Sequence, residues 1–230
     1  MTPDALKRAV GYRAAELVED GMAVGLGTGS TARYLVERLG ERVAGGLSLR
    51  AVSTSDRTSA QAAEVGVPLT TLEECPVLDL AIDGADEVDP DGQLIKGLGG
   101  ALYREKRVAV AARQFVVIVD ESKLVPRLGE ACPVPVETLP DAVPAVSEAL
   151  RQLGANPVLR PGADGSAWIT DNGNPILDAH FAAVENPAGM EAAINALEGV
   201  LDNGLFAGLT SRVLVGSPKG VREWIPPLAR

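Results

Sequence analysis

Apolar positions along this chain follow two rhythms. Leu6, Val10, Ala14 and Leu17 recur at the spacing of one helix face, and Gly21 stops the run. Thr2-Pro3-Asp4 supplies the start: a hydroxyl N-cap followed by proline at the first helical position. Met22 to Leu26 is a short continuous apolar run, the pattern of a buried strand. It leads through Gly27-Thr28-Gly29-Ser30-Thr31 into a helix with Tyr34, Leu35 and Leu39 on one side. The alternation continues with a strand over Leu47 to Val52, a helix over 57–65, a strand over Val77 to Ile82, a helix over 101–113 and a strand over Phe115 to Val119. Strands apolar on both faces, each followed by a helix, predict an α/β fold with a parallel sheet covered by helices.

The rhythm changes near Cys132-Pro133. Residues 133–138 predict a strand, and 141–153 a helix with Val143, Val146, Leu150 and Leu153 on its apolar face. The stretches 156–162, 167–173 and 175–181 predict short strands separated by turn residues, 187–197 a second helix, and 200–207 a last strand. This order suggests a small α+β domain, a ferredoxin-like sandwich with an added strand, inserted at 132–205. Residues 211–225 return to a strand, a turn and a helix, so 1–131 and 206–230 form the first domain.

Composition narrows the possibilities. Hydrophobic residues make up 46% of the 230 but aromatics only 3%, so the core is built from Ala, Val, Leu and Ile. A formal charge of −10 argues against a nucleic-acid or anionic-membrane partner. It leaves room for a small phosphorylated ligand, because local cations dominate within a Debye length of roughly 8 Å. Cys75 and Cys132 are far apart and in no metal-ligand spacing, which fits a reducing compartment and speaks against zinc. With no apolar leader at the N-terminus and no run near the ~18 residues of a membrane span, the expected location is cytoplasmic.

Four polar clusters fall at the carboxyl ends of predicted strands: Thr28 to Thr31, Ser53 to Arg57, Asp83 to Asp89, and Asp120 to Lys123. Ligands of open α/β sheets bind outside those ends. The Gly-rich stretch 25–31 opens a helix, as a phosphate cradle does, but lacks the lysine of a Walker loop and has Ser30 at the last glycine position of a dinucleotide fingerprint. It reads equally as a tight turn capped by Ser30. The acidic run Asp83-Gly84-Ala85-Asp86-Glu87-Val88-Asp89 fits a calcium loop poorly, because the closing position falls on Leu98. Residues 89–92 read instead as a turn, leaving Asp83 and Asp86 nearest the strand end. Lys96 precedes a second Gly-rich loop, and Glu105 lies early in the next helix, where the helix N-terminus favours its ionised form. His180 is the single histidine and is expected to pack, as are Trp168 and Trp224; Arg104 and Lys106 are expected on a solvated face.

These motifs, in this order and spacing, closely resemble ribose-5-phosphate isomerase of type A, and the likeness continues through residues 169–178 and 204–208. The resemblance implies a Rossmann-like domain carrying a small α+β lid and oligomerisation domain, assembled as a homodimer or a tetramer. It implies aldose–ketose isomerisation of a sugar phosphate with no metal and no organic cofactor. Glu105 would be the general base, with Asp83, Asp86 and Lys96 at the sugar hydroxyls and carbonyl. Thr28, Gly29, Ser30, Thr31 and Lys123, together with Lys7, would hold the substrate near its phosphate. Gly84, Ala85, Gly97, Leu98 and Gly99 complete the expected binding loops. One departure stands out: Leu98 occupies a position that is usually glycine, which would strain the loop if that residue had a positive φ.

Two other classes fit less well. A non-catalytic sugar-phosphate sensor would carry a DNA-binding segment and lack the base. A sugar-phosphate deaminase would want a histidine near its acid–base site, and an acyl-CoA transferase a larger chain or a partner subunit.

Overall fold

The computed structural model describes residues 2–227. In chain order the elements are α1 (Pro3–Ala15), β1 (Ala23–Leu26), α2 (Ala32–Ala44), β2 (Arg50–Ser53), α3 (Asp56–Glu64), β3 (Leu80–Asp83), β4 (Glu87–Val88), β5 (Leu94–Ile95), α4 (Leu102–Ala111), β6 (Phe115–Asp120), β7 (Val134–Thr138), α5 (Val143–Gln152), β8 (Asn156–Leu159), β9 (Ile176–His180), α6 (Pro187–Asn195), β10 (Val200–Asn203), β11 (Leu205–Phe206), β12 (Arg212–Ser217) and β13 (Gly220–Trp224).

The chain divides into two compact units. The first holds the residues up to Ala85, Arg104–Leu124 and those from Leu209 onward. Its sheet runs β13-β12-β6-β3-β1-β2. The five strands from β12 to β2 are mutually parallel, and β13 pairs antiparallel on the outside of β12. Numbered among themselves, the parallel strands lie in the doubly wound order 2-1-3-4-5, whose direction reverses between β1 and β3. The core beneath is aliphatic: Leu26, Leu35, Leu39, Ile82 and Ile118 are fully buried. Outside β2, the segment 68–70 adds a further rung, with the Ala51 N–H donating to Pro68 O and the Thr70 N–H to Ala51 O.

The second unit comprises Asp86–Tyr103 and Val125–Gly208. Its four-stranded sheet has the order β10-β7-β9-β8, antiparallel throughout. With α5 and α6 in their chain positions this is the β-α-β-β-α-β ferredoxin-like topology. A second small sheet, β11-β5-β4, belongs to the same unit. Val134, Val136, Leu150, Leu177 and Ile194 fill its core.

Four details depart from the sequence reading. Residues 86–103 belong to the second unit, joined there by β4 and β5 pairing with β11, rather than to the first domain. The stretch 167–173 makes only isolated bridges around a turn closed by Gly173, so the ferredoxin-like sheet has no added strand. Residues 200–207 split into β10 and β11 at Gly204, where a Cβ would sit 2.2 Å from Lys96 O. The expected C-terminal helix is strand β13: Ser217 Oγ accepts from the Lys219 N–H and donates to Gly220 O, and Gly220 takes φ 116°, which turns the chain straight back. Four residues after that turn are too few for helical periodicity to show.

Candidate functional site

The direction change between β1 and β3 in the first unit is where a ligand site is expected. β1 ends into Gly27-Thr28, and β3 ends on Asp83. Asp83 is buried, and its Oδ1 accepts from the Thr28 N–H at 3.0 Å and from the Gly84 N–H at 2.7 Å. Gly27 makes this possible, because a Cβ there would lie 2.0 Å from Asp83 Oδ1 and 2.6 Å from its Cα. The Thr28 hydroxyl is enclosed by others: Thr54 Oγ1 at 2.7 Å, Ser55 Oγ at 2.8 Å and Thr58 Oγ1 at 3.2 Å. One proton and two lone pairs are saturated by three such neighbours. Thr54 and Thr58 in turn reach Leu26 O and Gly27 O. The cluster Ser53 to Arg57, noted in the sequence only for its position, therefore locks the glycine loop from behind.

Beyond Thr28 the loop is open. Gly29 takes φ 128°, Ser30 is exposed, and α2 begins with Thr31 as its N-cap. No side chain caps α2, in contrast to α1, capped by Thr2, and α3, capped by Ser55. Ser30 is thus not the cap; the Arg33 and Tyr34 amides are taken by Gly29 O and Thr31 O, and the Ser30, Thr31 and Ala32 amides before them have no hydrogen bond to a described side chain. Beside them lies a cavity of about 380 Å³ lined by Gly29, Ser30, Arg33, Arg57, Thr58 and Gln61. Arg33 is paired with Asp4 at 2.9 Å. A hydrogen bond from Tyr34, with the charges of Arg33 and Lys7, holds the Asp4 carboxyl below its ordinary range. Lys7 itself is half-buried on α1. Arg57 has no ion-pair partner among the described residues. Its only sequence signal was membership of a polar cluster at a strand end; Arg33, inside a helix, gave none.

Glu105 lies in the first turn of α4 and is only 5% exposed. The far end of α4 is tied to the start of β3 by the Leu78 N–H donating to Ala111 O. Its near end therefore reaches the carboxyl ends of the strands, and the Arg104–Asp56 pair at 2.7 Å fixes it at the start of α3. Val108 sits over Gly25 of β1, where a Cβ would be 2.3 Å from Val108 Cγ1. Glu105, one turn earlier on the same helix face, is carried toward the loop that leaves β1. Lys123 ends the short 3₁₀ turn after β6, half-buried, with Asp120 capping the turn through the Ser122 N–H at 2.9 Å. Gly84 and half-buried Ala85 close the first unit's share of the acidic run. Lys106 is buried rather than on the solvated face expected for it, whereas Arg104 pairs with Asp56 at the surface.

The second unit carries the rest of that run and the second glycine loop. Asp86 Oδ2 accepts from the Leu98 N–H at 2.9 Å, while the Asp86 N–H donates to Ile95 O at 2.8 Å. Glu87 is buried and gathers three amides of another loop: Gly129 at 2.6 Å, Ala131 at 2.8 Å and Cys132 at 2.7 Å. Asp89 accepts from the Asp91 and Gln93 amides, which closes the turn over 89–92. Burial pushes the Asp89 carboxyl up, against the pull of those amides. Lys96 is 2% exposed, its Nζ stacked 5.5 Å from the centre of the Phe206 ring. Gly97 takes φ 99° and Gly100 φ 83°, whereas no described residue other than glycine has a positive φ. Leu98 therefore replaces glycine without backbone strain, its side chain 41% exposed, next to the exposed Gly99. His180 ends β9 exposed rather than packed. Among the described residues no three His, Cys, Asp or Glu side chains come together as metal ligands, and no helix is long and apolar enough to cross a membrane.

Residues 50–220 match the family model of ribose 5-phosphate isomerase A (phosphoriboisomerase A). The chain belongs to that family. A ribose-5-phosphate isomerase A from Methanoregula boonei is 53% identical over 94% of this chain and 91% of its own. One from Gloeobacter violaceus is 49% identical over the whole of both chains. Among solved structures, ribose 5-phosphate isomerase A from Methanocaldococcus jannaschii superposes with a TM-score of 0.93, at 42% identity over 97% of this chain and all of the other. A D-ribose-5-phosphate isomerase in complex with phospho-erythronic acid gives 0.95, at 41% identity over 98% of this chain and all of the other. As a type A isomerase, the chain has the mixed fold its sequence predicts: a central parallel sheet and a ferredoxin-like partner unit.

Proposed function

We infer that Glu105 moves the proton in the aldose–ketose isomerisation of this family, the interconversion of ribose 5-phosphate and ribulose 5-phosphate. The reaction shifts a proton between carbons 1 and 2 through an enediolate. A carboxylate that takes the proton from one carbon can return it to its neighbour on the same face, so one base suffices. Such a base supplies roughly 10²–10⁴-fold. The observation that supports Glu105 most directly is its placement: 5% exposed, at the end of α4 that is held at the carboxyl ends of the strands.

The developing oxyanion needs donors. Lys96 and the amides of Gly97 and Gly99 serve it, each donor of this kind being worth about 3 kcal/mol. Ionised carboxylates cannot stabilise an oxyanion, so Asp83 and Asp86 accept from sugar hydroxyls, or relay protons when the furanose ring opens. The phosphate is held by the uncapped start of α2 (Gly29, Ser30, Thr31), by Lys123 and by Lys7, with Arg57 adding a cation. Thr28, its hydroxyl already saturated, holds the loop rather than the ligand. Phosphate binding far from the reacting carbons can be used for orientation.

The reading needs no metal and no organic cofactor, no nucleic acid and no membrane, and it places the enzyme in the cytoplasm. Self-association as a homodimer or tetramer is assigned to the second unit, the lid and oligomerisation domain, whose Leu139, Val158, Leu159 and Ile169 are between 41% and 51% exposed. The test is turnover of ribose 5-phosphate in excess EDTA, comparing the wild type with Glu105→Gln. The expected result is undiminished wild-type activity and a loss of at least ~100-fold in kcat for the variant. Full activity in Glu105→Gln would refute the assignment.

A further inference from the structure

Arg160, just past β8, is 9% exposed and makes four hydrogen bonds inside the second unit. Its Nε donates to Asp178 Oδ2 at 2.9 Å, and Nη2 donates to Oδ1 of the same carboxylate. Nη1 donates to two carbonyls of the glycine loop, Gly97 O and Leu98 O, each at 3.1 Å. The Trp168 ring lies 5.6 Å from the guanidinium carbon and closes over Gly100, where a Cβ would fall 1.7 Å from the ring. Nothing in the isomerisation chemistry calls for this group directly.

Its geometry has a consequence for the loop. In a trans peptide the carbonyl and the following N–H point in opposite directions. Drawing Gly97 O and Leu98 O toward Arg160 turns the Leu98 and Gly99 N–H groups to the other side. On that side the Leu98 N–H meets Asp86 Oδ2 at 2.9 Å. The Gly99 N–H makes no hydrogen bond to any described residue, and Gly99 is exposed, with open space where a Cβ would stand. We propose that Arg160 is a positioning residue, which sets the peptides from Gly97 to Gly99 so that the Gly99 N–H is presented, on the Asp86 side of the loop, to the substrate oxygen that becomes anionic. This rests on the isomerase reading above. Asp178 fixes the guanidinium, and Trp168 fixes its plane. A lysine could not replace it, because one ammonium lacks the planar fork that reaches a carboxylate and two carbonyls together.

The test compares wild type, Arg160→Lys, Arg160→Ala and Asp178→Asn. Each is assayed for turnover of ribose 5-phosphate, for binding of phospho-erythronic acid, whose carboxylate stands in for the enediolate oxygens, and for binding of inorganic phosphate. Loss of one preorganised donor predicts a fall of roughly 10²-fold in kcat for Arg160→Lys, with KM changed less than about threefold. Phospho-erythronic acid should bind at least ~10-fold more weakly and inorganic phosphate unchanged. Millimolar guanidinium should restore part of the activity of Arg160→Ala, and Asp178→Asn should show an intermediate kcat loss. A kcat for Arg160→Lys within about threefold of wild type would overturn the proposal. So would parallel losses of both ligands and of turnover, tracking a lower folded fraction, since that is what a purely structural arginine would give. If the Arg160 variants do not fold, Asp178→Asn decides alone, by the same split between kcat and KM. An inactive wild type would refute the isomerase reading, not this one.

Discussion

Gly27→Ala is the smallest change that tests whether the Asp83 pin matters. The added Cβ would sit 2.0 Å from Asp83 Oδ1, 2.2 Å from its Cγ and 2.6 Å from its Cα. The carboxylate can rotate away, but the Cα is backbone, and ordinary contact there requires the β1 and β3 ends to part by close to 1 Å. Rotation also abandons the bonds from Thr28 N–H and Gly84 N–H. Overpacking of this kind costs about 1–3 kcal/mol. In a chain of this size that corresponds to a Tm lower by roughly 3–10 °C. The effect on turnover should be larger in proportion, since a shift near 1 Å in a positioned group can cost about 10²-fold in rate. Gly84→Ala is the control. Its Cβ would meet nothing nearer than Ile118 O at 3.7 Å, so its Tm should stay close to wild type. The assay is kcat/KM for ribose 5-phosphate beside thermal unfolding for both variants. Gly27→Ala with wild-type Tm and wild-type kcat/KM would show that the β1–β3 junction tolerates expansion and that the pin is dispensable.

Two further outcomes follow from the acidic run. Glu87→Ala takes the acceptor from three amides, of which Gly129 is buried and the other two partly so, and should destabilise by roughly 1–3 kcal/mol, read by thermal unfolding, with Glu87→Gln losing less. Asp89 is the opposite case: burial raises its folded pKa above the ordinary value near 3.8, so folding favours its protonated form. Its contribution is present below that value and lost as pH rises through the folded pKa, so Asp89→Asn should gain Tm relative to wild type between acid and neutral pH; a constant difference would refute this.

Much of this was legible from residue order. The parallel sheet followed from Val and Ile runs buried on both faces, and the gathering of four polar clusters at the carboxyl ends of its strands followed from their positions after those runs. What the sequence hid was pairing at a distance. Strands β4 and β5 are two residues long, too short to carry any period, and only their partnership with β11 makes them strands. Strand β13 hid for the same reason, its four residues after Gly220 fitting either rhythm. The acidic run gave Glu87 no role of its own, because nothing local announces that its partners lie more than 40 residues away. The fate of Leu98 turned on a single dihedral that no sequence pattern carries.

The borders of the six-stranded sheet limit how this protein can meet others. One border is sealed by the rung from 68–70 beside β2, and the other is a short reversed strand bearing Arg222 and Glu223. Neither offers a long bare run of main-chain amides and carbonyls, so ladder-to-ladder stacking of copies through this layer is suppressed, and crowding should not convert the folded enzyme into fibres by that route.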